Sequence, residues 1–367
     1  MDRSCAIVGG GLAGFVAYVT LRHGGLEPGE IAVFGTDPDP VAAWRPRAEA
    51  IRQRRMRSES DGHCYPRSFP GLAPREAVRR RSVAPLVQTV CNRYRPTIQE
   101  FLRHVEELRV RCGWEESFRR HAVARVAAAP GGFDVDAEGR FRHVLLALGH
   151  PGLASPPELA DDPRTVHAYE PHDYADRVAV VGAGMAAATE WLNALAAGAE
   201  VVSVRRREPA RRPLNVPRPL FSKAGLAAFH AAERVRKVEL LTGFGTPSYP
   251  PGREWDEPIE WAMREGRFRV SRSVNGEVQV ICATGFRRGF EHDALLRRFV
   301  EEHELDVEER WIVLAPDGTV PALTDRTRTL ALTGVPAQWA YPAADTLVGM
   351  KYVARRFLGK VRACPTP

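Results

Sequence analysis

Two stretches decide the architecture of this chain: Cys5-Ala-Ile-Val-Gly-Gly-Gly-Leu-Ala-Gly14 and Arg177-Val-Ala-Val-Val-Gly-Ala-Gly-Met-Ala-Ala187. In the first, the apolar run Cys5 to Val8 has the character of a strand buried on both faces of a parallel sheet. Gly9, Gly11 and Gly14 follow at G-x-G-x-x-G spacing, and Leu12 to His23 reads as a helix. The first glycine permits the tight strand-to-helix turn, the second lets backbone approach a pyrophosphate, and the third lets helix and strand pack closely. The start of that helix, at Leu12 and Ala13, offers unpaired N–H groups and the positive end of a dipole to phosphate oxygens. Ile31-Ala-Val-Phe34 supplies a second strand and completes a β-α-β unit. The glycine spacing alone would be weak, because such a run can be only a turn. In the order strand, loop, helix, strand it predicts a dinucleotide site.

The second stretch repeats the device. Gly182 and Gly184 keep the spacing, and Ala187 takes the third place, a variant that the fingerprint tolerates. Met185 to Ala197 has helical composition, and Glu200-Val-Val-Ser-Val204 is the strand behind it. A dehydrogenase with one cofactor needs one such unit, whereas a flavoprotein reduced by a nicotinamide needs two. The residues after each second strand separate the cofactors, since an acid there bonds a ribose 2′-hydroxyl and an arginine accommodates a 2′-phosphate. Val204 is followed by Arg205, Arg206 and Arg207, which points to NADPH; the alternative is a basic surface turn. In the first unit Phe34 is followed by Gly35-Thr-Asp37, so the acid is missing from the first position. Asp37, or backbone and water, is left to hold the ribose of FAD.

Bulk composition excludes several classes. The 367 residues suffice for two or three domains, and 44% hydrophobic with 26% charged residues is ordinary for a globular chain. No uninterrupted apolar stretch is long enough to span a bilayer. Met1-Asp-Arg-Ser4 runs straight into a strand without a signal-like segment, which predicts a cytoplasmic protein with no membrane contact. The net charge is +7, but 52 basic residues stand against 45 acidic ones and no aromatic residues alternate with the basic clusters, so no nucleic-acid partner is expected. Six cysteines are scattered singly with no C-x-x-C, which predicts neither a metal site nor a dithiol relay.

With these motifs the chain resembles the two-dinucleotide flavoprotein monooxygenases: flavin-containing monooxygenases, Baeyer–Villiger monooxygenases and amine N-hydroxylases. Trp44-Arg45 falls where these families carry a Gly-Gly-x-Trp-Arg element beside the flavin, although Val41-Ala42 replace the two glycines. Met56-Arg-Ser-Glu-Ser-Asp-Gly-His63 resembles the stretch they run along the isoalloxazine ring, which makes Arg57, Ser58 and His63 candidate catalytic groups; a plain polar loop is the alternative. Val144 to Pro151 resembles the strand closing the first half of the FAD domain. Cys282-Ala-Thr-Gly-Phe286, with Thr284 and Gly285, is similar to the Ala-Thr-Gly-aromatic element at the return between domains. Leu330-Ala-Leu-Thr-Gly334, with a helix from about Asp345 to Phe357, resembles the C-terminal element that faces the flavin. In the linker, His167 alone fits the monooxygenase fingerprint; Asp161, Pro163 and Pro171 occupy its other positions. His167 is therefore either a hinge residue acting in the reaction or an ordinary interdomain hydrogen-bonding group.

The resemblance implies an α/β fold with two Rossmann-like dinucleotide-binding domains, the NADPH domain (171–275) inserted into a discontinuous FAD domain (1–170 and 276–367). Pro96 to Cys112 predicts a helix, Ala122 to Asp136 a hairpin turning at Pro130-Gly-Gly132, and the proline-rich Pro209–Pro219 a flap or irregular loop. The implied activity uses NADPH to reduce FAD and oxygenates a small molecule at nitrogen or sulfur, or by Baeyer–Villiger insertion, through a C4a-(hydro)peroxyflavin. Its partners are the substrate and O2, and a homo-oligomer is left open. Two rivals remain: an FAD-dependent NAD(P)H oxidoreductase without oxygen insertion, and a flavin-binding partner protein that has lost catalysis.

Overall fold

The computed structural model describes residues 4–56, 72–91, 94–212, 215–276 and 278–363. Its core is a parallel five-stranded sheet in the order Thr329–Leu332, His143–Leu146, Cys5–Val8, Ile31–Gly35, Phe118–Arg120. All four residues of Cys5–Val8 are buried, as a central parallel strand covered on both faces requires. The helices Leu12–His23 and Leu347–Ala363 pack against each other on this domain. An antiparallel three-stranded meander, Val126–Ala129, Gly132–Val135 and Gly139–Phe141, stands in the chain between the strands Phe118–Arg120 and His143–Leu146, where a helix would otherwise cross. It contains the expected hairpin with its turn at residues 130–131, and adds a third strand that the sequence did not announce.

A second parallel sheet has the order Phe268–Ser271, Glu200–Val204, Arg177–Val181, Gln279–Cys282, Thr165–His167. The fold is thus α/β with two dinucleotide-type sheets in one chain. The second sheet takes one edge strand, Thr165–His167, and its neighbour, Gln279–Cys282, from a few residues outside 171–275 on each side.

Local structure follows the sequence with small shifts. The expected helix over 96–112 is Ile98–Cys112, begun by Thr97, whose hydroxyl accepts the Glu100 N–H. The C-terminal helix runs Leu347–Ala363 rather than from Asp345 to Phe357. Its first turn is closed by the Thr346 hydroxyl accepting the Gly349 N–H at 3.2 Å, so Asp345 lies before the helix. Among its described residues the proline-rich segment holds a two-residue strand, Ala210–Arg211, paired with Ser248–Tyr249, and the start of the short 3-10 turn Arg218–Phe221.

Between those paired strands the chain leaves the second domain and packs on the first. Val216, Phe229 and Leu241 belong to the first domain's core, and His230 Nε2 meets the Ala340 carbonyl at 2.7 Å. In exchange, Ile51 of the first domain sits in the core of the second, with Ala186, Ala187 and Trp191. Each domain therefore buries apolar side chains of the other.

Candidate functional site

Both glycine loops have the steric character of a phosphate cradle. Gly9 (φ +118°) and Gly182 (φ +133°) occupy backbone space that a side chain rarely adopts, and added Cβ atoms would stand 2.4 Å from the Ala147 carbonyl oxygen and 2.6 Å from that of Ala283. A Cβ on Gly14 would lie 1.9 Å from the Gly9 carbonyl oxygen; in the second loop Ala187, buried, fills that place. Gly11 and Gly184 are the N-caps of helices Leu12–His23 and Met185–Ala196, have no side-chain cap, and have open space where a Cβ would be. The helix starts therefore present free N–H groups in front of room for a phosphate, so the residues fit two dinucleotides.

A cleft of about 630 Å³ joins the two loops. Gly9, Gly11, Leu12 and Ala13 line one end. One helical face contributes a wall: Trp44, Arg47, Ala48 and Ile51 line the cleft at helical spacing.

 
Ala147 to His150, Tyr169, Phe286, Gly334 and Met350 also line it, and Met185 brings the start of the second glycine-loop helix to the same space. Lining of this kind, largely apolar with a few polar groups, suits a bound cofactor.

The crossings between the domains meet beside this cleft. Leu153 pairs with Phe286 as an antiparallel bridge, the Ala154 N–H donates to the Gly285 carbonyl at 3.0 Å, and the Arg287 N–H donates to Gly152 at 2.9 Å. Thr284 adds a hydroxyl bond to the Ala154 carbonyl. The Phe286 ring stacks on His150 (centroids 4.2 Å apart, 15° between planes) and on Tyr169 (4.8 Å, 19°), while His167 stacks on Tyr169 at 5.6 Å. The guanidinium of Arg47 lies 5.1 Å from the Phe286 centroid. Burial lowers the Arg47 pKa and, helped by the charges of Arg288 and Arg47, pushes His150 down to about 4, so His150 is a neutral ring. Burial raises the carboxyl of the cleft-lining Asp345 above its ordinary value against the pull of Arg288.

The cofactor candidates fall into two groups. Gly9, Gly11, Leu12, Ala13, Trp44, Met185 and Gly334 line the cleft, with Gly14, Gly182, Gly184 and Ala187 packed behind or beside it. Arg45 points away, paired with Asp39 at 3.0 Å, and Asp37 is exposed, its carboxylate accepting the Asp39 N–H at 2.8 Å. The acid is absent from position 35 for a steric reason: a Cβ there would lie 2.8 Å from the Gly10 backbone and 3.2 Å from the Phe118 ring. Arg205 is largely enclosed, 12% exposed, beside Glu208 and over the Trp191 ring, whereas Arg206 is 89% exposed and only 3.6 Å from Glu158. Thr284 and Gly285 lie in the crossing.

Of the candidate catalytic groups, Arg57, Ser58 and His63 lie outside the described residues. His167 is buried in the outward crossing, where its Nδ1 accepts the Tyr169 N–H at 3.2 Å and burial lowers its pKa. Sequence reasoning did not single out Arg47, His150, Tyr169 or Asp345. Among the described residues no group of three His, Cys, Asp or Glu is placed to hold a metal ion, and no helix is long and apolar enough to cross a membrane.

Comparison with known proteins agrees with this geometry. Residues 3–215 match the family model described as pyridine nucleotide-disulphide oxidoreductase. No curated protein matches the sequence. Among solved structures, the ornithine hydroxylase from Pseudomonas aeruginosa is 16% identical with a TM-score of 0.70, covering 98% of this chain and 99% of that one. An ornithine N-hydroxylase from Kutzneria sp. 744, solved with reduced FAD, NADP+ and L-ornithine, is 16% identical with a TM-score of 0.71, covering 99% of each chain. The FAD-bound cadaverine monooxygenase from Erwinia amylovora is 11% identical with a TM-score of 0.71, covering 100% of this chain and 96% of that one. The likeness extends over both sheets and their crossings, so the fold is that of two-dinucleotide flavoproteins.

Proposed function

The chain belongs to the pyridine nucleotide-disulphide oxidoreductase family, and from that premise we propose that it is an FAD-dependent, NADPH-consuming monooxygenase acting on a small molecule. The observation that carries this reading is the cleft lined by both glycine-loop helices, at Leu12 and at Met185, and by Phe286. Two dinucleotides entering from opposite loops converge there. The sequence has no C-x-x-C to pass electrons to a disulfide, and the full-length fold likeness to amine hydroxylases reaches TM-scores of 0.70–0.71, against 0.56 for bacillithiol disulfide reductases.

In this reading Gly9, Gly11 and Gly14 with the N-terminus of Leu12–His23 hold the FAD pyrophosphate, and Trp44 and Gly334 flank the rest of the cofactor. Gly182, Gly184 and the start of Met185–Ala196 hold NADPH, with Arg205 as the main 2′-phosphate ligand and Arg206 as a weaker one. Bound FAD supplies the redox and oxygen chemistry. The chain's part is to orient the two cofactors, to keep water from the reacting atoms with Phe286, Tyr169, Leu347 and Met350, and to offer protons or hydrogen bonds through Asp345. The proposed substrates are amines, sulfides or cyclic ketones, with O2 as co-substrate. The test supplies FAD-loaded enzyme with NADPH and isotopically labelled dioxygen over a panel of these compounds. Label in a product is the expected result; NADPH consumed with all oxygen recovered as peroxide, and electrons passed only to an added acceptor, would leave a plain oxidoreductase.

A further inference from the structure

The helix after the second glycine loop carries a carboxylate for which cofactor binding gives no task. Glu190 is fully buried. Its Oε2 accepts the Tyr174 hydroxyl at 2.8 Å and lies 3.0 Å from His172 Nε2, while Oε1 has no hydrogen-bond partner among the described residues. His172 is itself only 3% exposed. Its Nδ1 is 2.7 Å from the Glu170 carbonyl, and a carbonyl only accepts, so Nδ1 carries a proton. A neutral His172 would then turn the bare lone pair of Nε2 toward a carboxylate oxygen. With Glu190 ionised, the contact is attractive only when Nε2 is protonated as well.

The cluster ties together parts of both domains. His172 and Tyr174 stand on the outward crossing, and Glu190 on the helix Met185–Ala196. The guanidinium of Arg52 lies 4.7 Å from the Tyr174 ring centroid and 3.5 Å from Asp173. Close by on the same helix, Asn193 Nδ2 donates to the Ile51 carbonyl at 3.0 Å. Ile51 and Gln53 are wall residues of the cleft, as is Met185 at the start of the helix that carries Glu190.

We propose that Glu190 is a positioning residue: with His172 and Tyr174 it clasps the Ile51–Gln53 wall of the cleft to the second domain and so sets the separation across which the two cofactors react. The inference rests on the two-cofactor reading of the cleft. The charged and titratable groups facing the cluster are Arg52 and Asp173; the Glu170 carboxylate is turned to the His167 N–H at 2.9 Å. Burial works against the imidazolium, but the Glu190 carboxylate and the Glu170 carbonyl outweigh it and raise His172 above its ordinary value. Burial and Glu190 also keep Tyr174 protonated. The clasp is therefore complete around neutral pH and is lost as pH rises through the raised His172 value.

The test follows anaerobic reduction of the FAD-loaded full chain by NADPH in stopped flow, from about pH 6 to about pH 9, a range spanning ordinary and raised histidine values. In the wild type the reduction rate should fall severalfold across a midpoint above the ordinary histidine value, with bound FAD constant. Glu190→Gln with its amide nitrogen in the place of Oε2 can donate to the bare nitrogen of a neutral His172 and to the Tyr174 oxygen, so its profile should be flat. Glu190→Ala should reduce slowly at every pH. NADPH's own phosphate titrates identically in all variants and cancels in the comparison. An NMR titration of the His172 ring reads the clasp without turnover: its midpoint should drop in Glu190→Gln. An unchanged rate profile and an unchanged ring titration in that variant would overturn the proposal. Should Glu190→Gln not fold, His172→Gln must show the flat profile instead, and a wild-type midpoint persisting there overturns it equally. If NADPH reduces the flavin at no pH, the two-cofactor reading falls and this role for Glu190 falls with it, whereas a reducible enzyme with identical profiles sinks only the clasp.

Discussion

Replacing the two candidate 2′-phosphate arginines separately should give unequal results, and the inequality follows from their surroundings. Arg205 is 12% exposed and held by Glu208 at 2.9 Å and by the Trp191 ring at 5.5 Å. A preordered, partly desolvated guanidinium makes a charge-assisted hydrogen bond worth about 1.5–3 kcal/mol, roughly a 10- to 150-fold change in affinity. Arg206 is 89% exposed. A contact so open to solvent is worth about 0.2–1 kcal/mol, at most roughly fivefold. Steady-state and binding measurements with NADPH and NADH on Arg205→Ala and Arg206→Ala separate the cases. Arg205→Ala should raise the NADPH KM by at least about tenfold and leave NADH almost unchanged. Arg206→Ala should change NADPH by less than about fivefold. Because Arg205 also packs on Trp191, the melting temperature of each variant must be recorded, and a matched loss with both nucleotides would be a packing defect. Equal effects of the two substitutions, or equal effects on both nucleotides in a stable protein, would refute the assignment.

Three further outcomes follow from the geometry. Gly14→Ala places a Cβ 1.9 Å from the Gly9 carbonyl oxygen, so it should cost about 1–3 kcal/mol of stability and reduce the bound FAD, measured by thermal melting and flavin absorbance. Phe286→Ala removes two ring contacts worth about 0.5–1.5 kcal/mol each beyond the lost area, and denaturant unfolding should show Phe286→Leu recovering the area but not the stacking. Because His150 is depressed to about 4 while an unfolded histidine protonates near 6.5, the unfolded chain takes up the proton first. Stability should therefore fall as pH drops from about 6.5 to about 4, by up to ~3 kcal/mol from this residue, and His150→Gln should remove that part of the acid sensitivity in pH-dependent melts.

Much of the fold could be read from sequence because its determinants are local. Each glycine loop carries its strand before it and its helix after it within a few residues, and the steric demands at Gly9, Gly14 and Gly182 act over that distance. The crossing at Cys282–Phe286 was also legible, since its turn is written in consecutive residues. The site was legible only in part. His150, Tyr169 and Phe286 come from three distant segments, so no spacing announces their stack. Arg47 was within reach: Trp44, Arg47, Ala48 and Ile51 share one helical face, which turns Arg45 outward, and applying that period to the segment would have exchanged the two arginines. The vacancy at Gly35 had its cause in Gly10, a partner recognisable only once the strand end and the loop are packed together. The excursion that buries Phe229 and Leu241 in the first domain was hidden because proline content marks an irregular chain without saying where it docks.

The central claim is that two dinucleotides meet in one cleft of this chain, and an anaerobic titration of the FAD-loaded protein with NADPH tests it most directly. The account predicts that the flavin absorbance bleaches stoichiometrically with added NADPH, and that Gly184→Val, which fills the open space before the second helix, blocks the bleaching without releasing FAD. A purified chain that binds no flavin, or a bound flavin that NADPH leaves oxidised, would contradict it.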